Sequence, residues 1–138
     1  MGKKKNNGRK YEDRCVRYFR SKGYRIMKVT KASHDQGVDI IAKKLGKLYA
    51  IQCKCYDHPV GNKAVQEAYS GKEYYGCDRA IAVTNTTFTK PAKELAEKVD
   101  VKLIERLEFG GHGVLVASVM LMVIAAMILL ILKFAPLP

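Results

Sequence analysis

Residues 37–56 read GVDIIAKKLGKLYAIQCKCY, and the positions of the other predicted elements follow from this central segment. Two apolar runs flank Gly46, which predicts a β-hairpin with a two-residue turn ending at that glycine. This register places Asp39 opposite Gln52. Because side chains alternate along a strand, Lys54 lies on the same face as Gln52. The hairpin is therefore expected to gather an acid, an amide and an amine on one face.

The sequence on either side of the hairpin predicts the remaining elements of one mixed α/β layer. Apolar residues at helical spacing indicate helices, and short apolar runs between turn residues indicate strands. The order is helix, three strands, helix, strand, helix and strand (αβββαβαβ), which predicts a mixed sheet flanked by helices. The predicted elements are a helix from residue 9 to Gly23, strands at 24–30, 38–45 and 47–56, a helix at 62–74, a strand at 79–84, a helix from Thr89 to about residue 100 and a strand at 101–104.

The first predicted helix has an apolar face and a basic face. Tyr11, Cys15 and Phe19 share one arc of the helical wheel, and arginines occupy the opposite one. Glu12 falls at the edge of the apolar arc, so its carboxylate either turns inward or reaches solvent from the rim.

Positive charge is concentrated at the start of the chain, where residues 1–31 hold 12 basic and two acidic side chains. Such an excess indicates an anionic partner, either nucleic acid phosphate or an anionic membrane surface. Residues 1–8 are predicted to be a flexible basic arm. A purely solubilising role for the lysines of this arm is the alternative.

Residues 114–132 contain no charged side chain and one polar one, Ser118. At helical rise they reach about 28 Å, close to the roughly 30 Å of a bilayer core. They therefore predict a single-pass transmembrane helix, with 109–113 as a glycine-rich linker and 133–138 as a short tail.

The sequence also predicts the cellular compartment of the domain. The first 23 residues offer no apolar run, so no cleaved signal peptide is expected. The strongly basic domain before the span favours a cytoplasmic position for that domain. These features predict a membrane protein, and they exclude both a fully soluble protein and intrinsic disorder.

The four cysteines allow two interpretations. Cys53 and Cys55 followed by His58 have the residue types of a zinc site, but the other ligands that a structural site needs are scattered. In a cytoplasmic domain, buried reduced thiols are the favoured interpretation.

The segments Gly37-Val38-Asp39-Ile40 and Ile51-Gln52-Cys53-Lys54 resemble the hairpin of the Mrr-like type IV restriction endonuclease domain, in the PD-(D/E)XK nuclease superfamily. The resemblance covers about residues 9–108, and it includes the AVTNTTFT segment before the third helix. It implies a restriction-endonuclease-like fold for that range and the activity of a Mg²⁺-dependent endodeoxyribonuclease, with Mn²⁺ as an alternative metal.

The resemblance also implies roles for individual residues. Asp39 is the central metal ligand, Glu12 a second acidic ligand, and Gln52 a neutral ligand at the position of the usual second carboxylate. Lys54 orients the attacking water and stabilises the charge that develops on the phosphate. Catalysis is thus assigned to these four residues, and Asp39, Glu12 and Gln52 are the expected metal ligands.

Each of these residues also has a purely structural interpretation. Asp39 is also a suitable turn residue at the entry to a strand, and Lys54 and Gln52 suit a solvated strand face. His34 and Asp35 in the preceding loop either reach the phosphate or solvate a turn, and Gln66 on the second helix reaches the site only if that helix packs across it.

The sequence thus favours a membrane-anchored metal-dependent DNA endonuclease that restricts foreign or modified DNA. A non-catalytic membrane-tethered module that binds DNA or anionic lipid is the first alternative. A junction-resolving nuclease, which the fold permits, is the second. Such enzymes act as dimers, so this alternative implies a homodimer. The expected partners are DNA and the membrane, and no small-molecule cofactor is expected.

Overall fold

The fold is seen in a computed structural model that describes residues 2–30, 37–109 and 112–134, with side chains for 7–30, 37–109 and 118–133. Contacts between Cα atoms divide the chain into two units, Met1–Glu108 and Phe109–Pro138.

The first unit is built on a five-stranded mixed sheet in the order β1-β2-β3-β4-β5. The first three strands are antiparallel, and β4 and β5 join them in parallel. This arrangement confirms the predicted mixed sheet. The strands are β1 (Arg25–Val29), β2 (Ile40–Lys44), β3 (Lys47–Lys54), β4 (Arg79–Thr84) and β5 (Val101–Ile104).

The hairpin between β2 and β3 has the predicted turn, with Lys44 opposite Lys47. Leu45 and Gly46 both have positive φ, 49° and 79°, as a type I′ turn requires. The ladder begins at Ile40, two residues after the predicted start of the strand at residue 38, so Asp39 precedes β2. The register is the predicted one, with Ile41 opposite Ala50, but the ladder ends before it reaches Asp39 and Gln52.

Three helices accompany the sheet: α1 (Gly2–Ser21), α2 (Asn62–Tyr74) and α3 (Lys90–Lys98). Because α1 begins at Gly2, the described part of the segment predicted to be a flexible arm, residues 2–8, is helical. Lysine and asparagine cost a helix only a few tenths of a kcal/mol each, and Gly8 costs about 1 kcal/mol, so the helix continues across them. Thr89 caps α3, and its side chain accepts a hydrogen bond from the Ala92 amide as the sequence predicts.

The two faces of the sheet carry different helices. Ala80 and Ala82 of β4 lie in one apolar cluster with the alanines of α2 and α3. Gln52 is the register partner of Ala82, so Gln52 and Lys54 face α2 and α3. Cys53 points to the other face, where α1 buries Cys15 and other residues of its predicted apolar arc.

The second unit contains α4 (His112–Phe134). Within the described residues, no helix is long and apolar enough to cross a membrane. The predicted transmembrane helix at 114–132 therefore has no support in the structure, and neither does the membrane anchoring inferred from it. The predicted linker and tail lie partly outside the described residues.

Candidate active site

Asp39 lies in a bend that backbone groups on both sides hold in place. Its amide donates to the Ile51 carbonyl at 3.0 Å, and its carbonyl accepts from the Thr30 amide at 2.9 Å. The Thr30 hydroxyl donates to the Val38 carbonyl. Gly37 has a φ of 75°, a conformation that L side chains rarely adopt, and it starts the bend. The position of the Asp39 backbone is thus set by β1 and β3 together.

The carboxylate of Asp39 is bound to the backbone of β3. Its Oδ2 accepts a hydrogen bond from the Cys53 amide at 2.6 Å. Cys53 stands between Gln52 and Lys54, so this bond brings the acid next to both residues of the Gln-x-Lys motif. A bond from an amide to a charged oxygen is stronger than one between neutral groups.

Lys54 reaches from β3 to α2. Its Nζ lies 2.5 Å from Oε2 of Glu67, and the two side chains are 18% and 24% exposed. Lys63, which is 87% exposed, lies 4.0 Å from Oε1 of the same carboxylate. Glu67 therefore connects α2 to the lysine of the motif.

Gln52 is buried, with 5% of its surface exposed. Its Nε2 donates to the Cys53 carbonyl at 3.3 Å, an assignment of the amide that follows from this hydrogen bond. The amide oxygen is consequently the atom that Gln52 can offer to a cation.

The charge of Glu12 acts on the buried Cys53 thiol. A hydrogen bond to Cys15, burial, and the nearby charges of Asp39 and Glu12 raise the pKa of this thiol above its ordinary value. Glu12 and Asp39, from α1 and the bend before β2, thus act on the same group from two elements. Glu12 is half-buried, as expected for a residue at the edge of the apolar arc.

The thiols do not form the zinc site that the sequence allowed. All four cysteines are free, and three of them are buried. Cys53 faces α1, whereas His58 is exposed in the loop after β3 and stacks on Tyr56. Among the described residues no group of three or more His, Cys, Asp or Glu side chains could hold a metal ion. The interpretation as buried thiols holds for Cys15, Cys53 and Cys77.

Sequence reasoning missed Glu67. It shares the inward face of α2 with Ala64, Ala68 and Gly71, which are all buried. Helical spacing from these small residues was the available signal, because positions three and four apart share a face. Gln66 is exposed and does not reach the site. His34 and Asp35 lie outside the described residues.

Comparison with known families agrees with this arrangement. Residues 4–110 match the family model Mrr_cat, which is described as a restriction endonuclease. The chain belongs to this family. The match covers the sheet, the bend at Asp39 and the Gln-x-Lys segment.

The individual proteins that resemble this chain match only part of it, and their sequence identity to it is low. An uncharacterised protein of Archaeoglobus fulgidus is 34% identical over 74 residues, which are 50% of this chain and 42% of that protein. The crystal structure of a protein of unknown function is 27% identical, covers 67% of this chain and 54% of its own, and has a TM-score of 0.56. A repair endonuclease from Pyrococcus abyssi is 24% identical over 59% of this chain and 38% of its own, with a TM-score of 0.45. The chain thus spans about half the length, or less, of these relatives.

Proposed function

We propose that this chain is a metal-dependent DNA endonuclease that hydrolyses phosphodiester bonds. The observation that carries the proposal is the hydrogen bond from the Cys53 amide to the Asp39 carboxylate. This bond holds a carboxylate beside the strand that carries Gln52 and Lys54. Membership of a restriction endonuclease family supports the reaction class.

The donor set suits Mg²⁺, with Mn²⁺ as the alternative. Mg²⁺ binds oxygen, keeps several waters and usually takes only one or two carboxylates together with substrate phosphate oxygens. Asp39 is the carboxylate we assign to it, with Glu12 as a second acid and the Gln52 amide oxygen as a neutral ligand. When bound, the metal would neutralise charge on the phosphate and lower the pKa of a coordinated water.

Lys54 supplies a fixed positive charge on the same face of the sheet. A cation held where negative charge develops stabilises a transition state, because it needs no reorganisation during the reaction. Lys54 is mostly buried and paired, so its position is restricted before any DNA binds. We assign it the role of orienting the water and stabilising the charge on the phosphate.

The basic face of α1 supports DNA as the substrate. Phosphate contacts by lysine and arginine supply affinity without reading sequence. This face is exposed along three turns of the helix, and foreign or modified DNA is the substrate class that the family resemblance implies. The exposed basic side chains on this face of α1 are Arg9, Lys10, Arg14, Arg17 and Arg20.

The test is plasmid cleavage by the full chain with Mg²⁺, with Mn²⁺ and with a chelator. Cleavage is expected with either metal and should disappear with the chelator. Asp39→Asn should abolish it, whereas Asp57→Asn should leave it unchanged because Asp57 is 79% exposed in a loop. Binding of plasmid without cleavage under every metal condition would instead favour the non-catalytic module. Equal cleavage by the wild type and Asp39→Asn would refute the assigned site.

A further inference from the structure

We propose that Glu67 is a positioning residue for Lys54, holding the lysine ammonium in place at the active site. This inference rests on the proposed function, because it assigns Glu67 a role in the reaction that Lys54 assists. Glu67 lies outside the Asp and Gln-x-Lys motifs, on a different element, α2.

The contact between the two residues is short and shielded. Nζ of Lys54 and Oε2 of Glu67 are 2.5 Å apart, with less than a quarter of either side chain exposed. A lysine has four rotatable side-chain bonds, and holding it in one rotamer costs up to about 2 kcal/mol of entropy. The carboxylate supplies the attraction that selects one orientation.

The fold brings α2 unusually close to the active-site bend at this point. A Cβ added to Gly37 would lie 2.7 Å from Cβ of Glu67 and 2.9 Å from its Cα and carbonyl oxygen. Only a glycine allows the chain leading to Asp39 to pack against Glu67 at this distance. Gly37, which begins the Asp39 bend, therefore also leaves room for Glu67, whose carboxylate pairs with Lys54.

The carboxylate is also poorly suited to a purely structural role. Oε2 of Glu67 is buried, and the Lys54 ammonium at 2.5 Å compensates its charge. Shielded ion pairs often contribute less to stability than apolar side chains of similar size. An acid at this position is thus better explained by what it does to Lys54.

The first measurement is cleavage kinetics of the full chain with Mg²⁺ at varied DNA concentration. Glu67→Gln keeps the shape of the side chain and removes its charge, so kcat should fall by about tenfold to a hundredfold with KM changed by less than about twofold. Glu67→Asp restores the charge on a shorter stem and should recover part of kcat. Gln66→Ala changes the exposed neighbour and should leave kcat unchanged.

The second measurement does not depend on cleavage. The ¹⁵N signal of the Lys54 ammonium, identified by its loss in Lys54→Arg, should be observable and ordered in the wild type. It should broaden or vanish in Glu67→Gln and persist in Gln66→Ala. The Lys63 ammonium, which is exposed and 4.0 Å from the same carboxylate, should stay mobile in every variant.

The two measurements separate the two proposals. An ordered Lys54 signal that is lost in Glu67→Gln, in a protein that cleaves no DNA, would overturn the proposed function, and with it the catalytic purpose of the contact, but would confirm that Glu67 orders the Lys54 ammonium. An active wild type with unchanged kcat in Glu67→Gln would overturn the positioning role alone. An identical Lys54 signal in the wild type and Glu67→Gln would overturn the positioning role as well.

Discussion

Gly37 packs against Glu67 so closely that a methyl group on Gly37 would be 2.7 Å from the Glu67 Cβ. The two residues come from the bend before β2 and from α2, and they lie 30 positions apart in the chain. Their contact fixes α2 against the segment that carries Asp39. The glycine of the Gly-Val-Asp segment is thus required for the distance between two elements as well as for its own backbone conformation.

Replacing Gly37 by alanine should destabilise the domain more than the same change in the hairpin turn. Gly37→Ala adds the cost of overpacking, about 1–3 kcal/mol, to the cost of a positive φ, about 1–2 kcal/mol. Gly46 has a similar φ of 79° and nothing within 4 Å of an added Cβ. Gly46→Ala should therefore have only the cost of the positive φ. Thermal unfolding of both variants measures the difference, and an equal loss of stability would argue against a tight contact at Gly37.

The two ways of removing the charge of Asp39 should differ in stability. Asp39→Ala leaves the Cys53 amide without its side-chain acceptor, at a cost of about 1–3 kcal/mol. Asp39→Asn retains an oxygen acceptor and should cost less. Both variants should lose cleavage, so urea unfolding separates the structural role of the carboxylate from its chemical one. Equal stability of the two variants would show that the hydrogen bond contributes little.

Gln52→Glu should tighten metal binding. The change introduces a second carboxylate beside Asp39, and Mg²⁺ attracts charged oxygen more strongly than a neutral amide. Gln52 is 5% exposed, so without metal the new charge should also lower the thermal stability. Calorimetric titration with Mg²⁺ and unfolding scans with and without the metal test both effects. Unchanged affinity would place Gln52 outside the metal site.

The basic face of α1 should determine the salt dependence of DNA binding. If Arg17 and Arg20 each contact a phosphate, Arg17→Gln and Arg20→Gln should each reduce the slope of log K against log salt by about 0.9. Lys98→Gln, an exposed charge on α3, should leave the slope unchanged. Binding isotherms at several salt concentrations measure this slope. An unchanged slope in both arginine variants would indicate that DNA binds to another surface.

Glu105 should make the domain sensitive to acid. The Phe88 amide, which donates to it at 2.6 Å, and the nearby Lys93 lower the pKa of this carboxyl, partly offset by burial. An acid with a lowered folded pKa contributes stability above its unfolded pKa, and this contribution is lost as the pH falls below about 4.5 through the lower folded value. Thermal unfolding at pH 6 and pH 3 should therefore differ less in Glu105→Gln than in the wild type. An identical difference in both proteins would contradict this role.

The helices, the strands and the Gln-x-Lys motif could be predicted from the sequence. Alternating and helical apolar periods predicted five strands and three helices of the first unit, because each period follows from local backbone geometry. The turn at Gly46 predicted the hairpin register from Ile40 to Ile51, since both turn residues need positive φ. The family pattern on this hairpin pointed to Asp39, Gln52 and Lys54.

Tertiary structure alone decided how these residues are held. The Asp39 carboxylate accepts a hydrogen bond from the Cys53 amide, because backbone bonds to Thr30 and Ile51 hold the bend before β2 in place. Glu67 meets Lys54 because α2 crosses that face of the sheet at the point where Gly37 leaves room. Such contacts depend on the distance between packed elements, which neither the periodicity nor the spacing of a motif specifies.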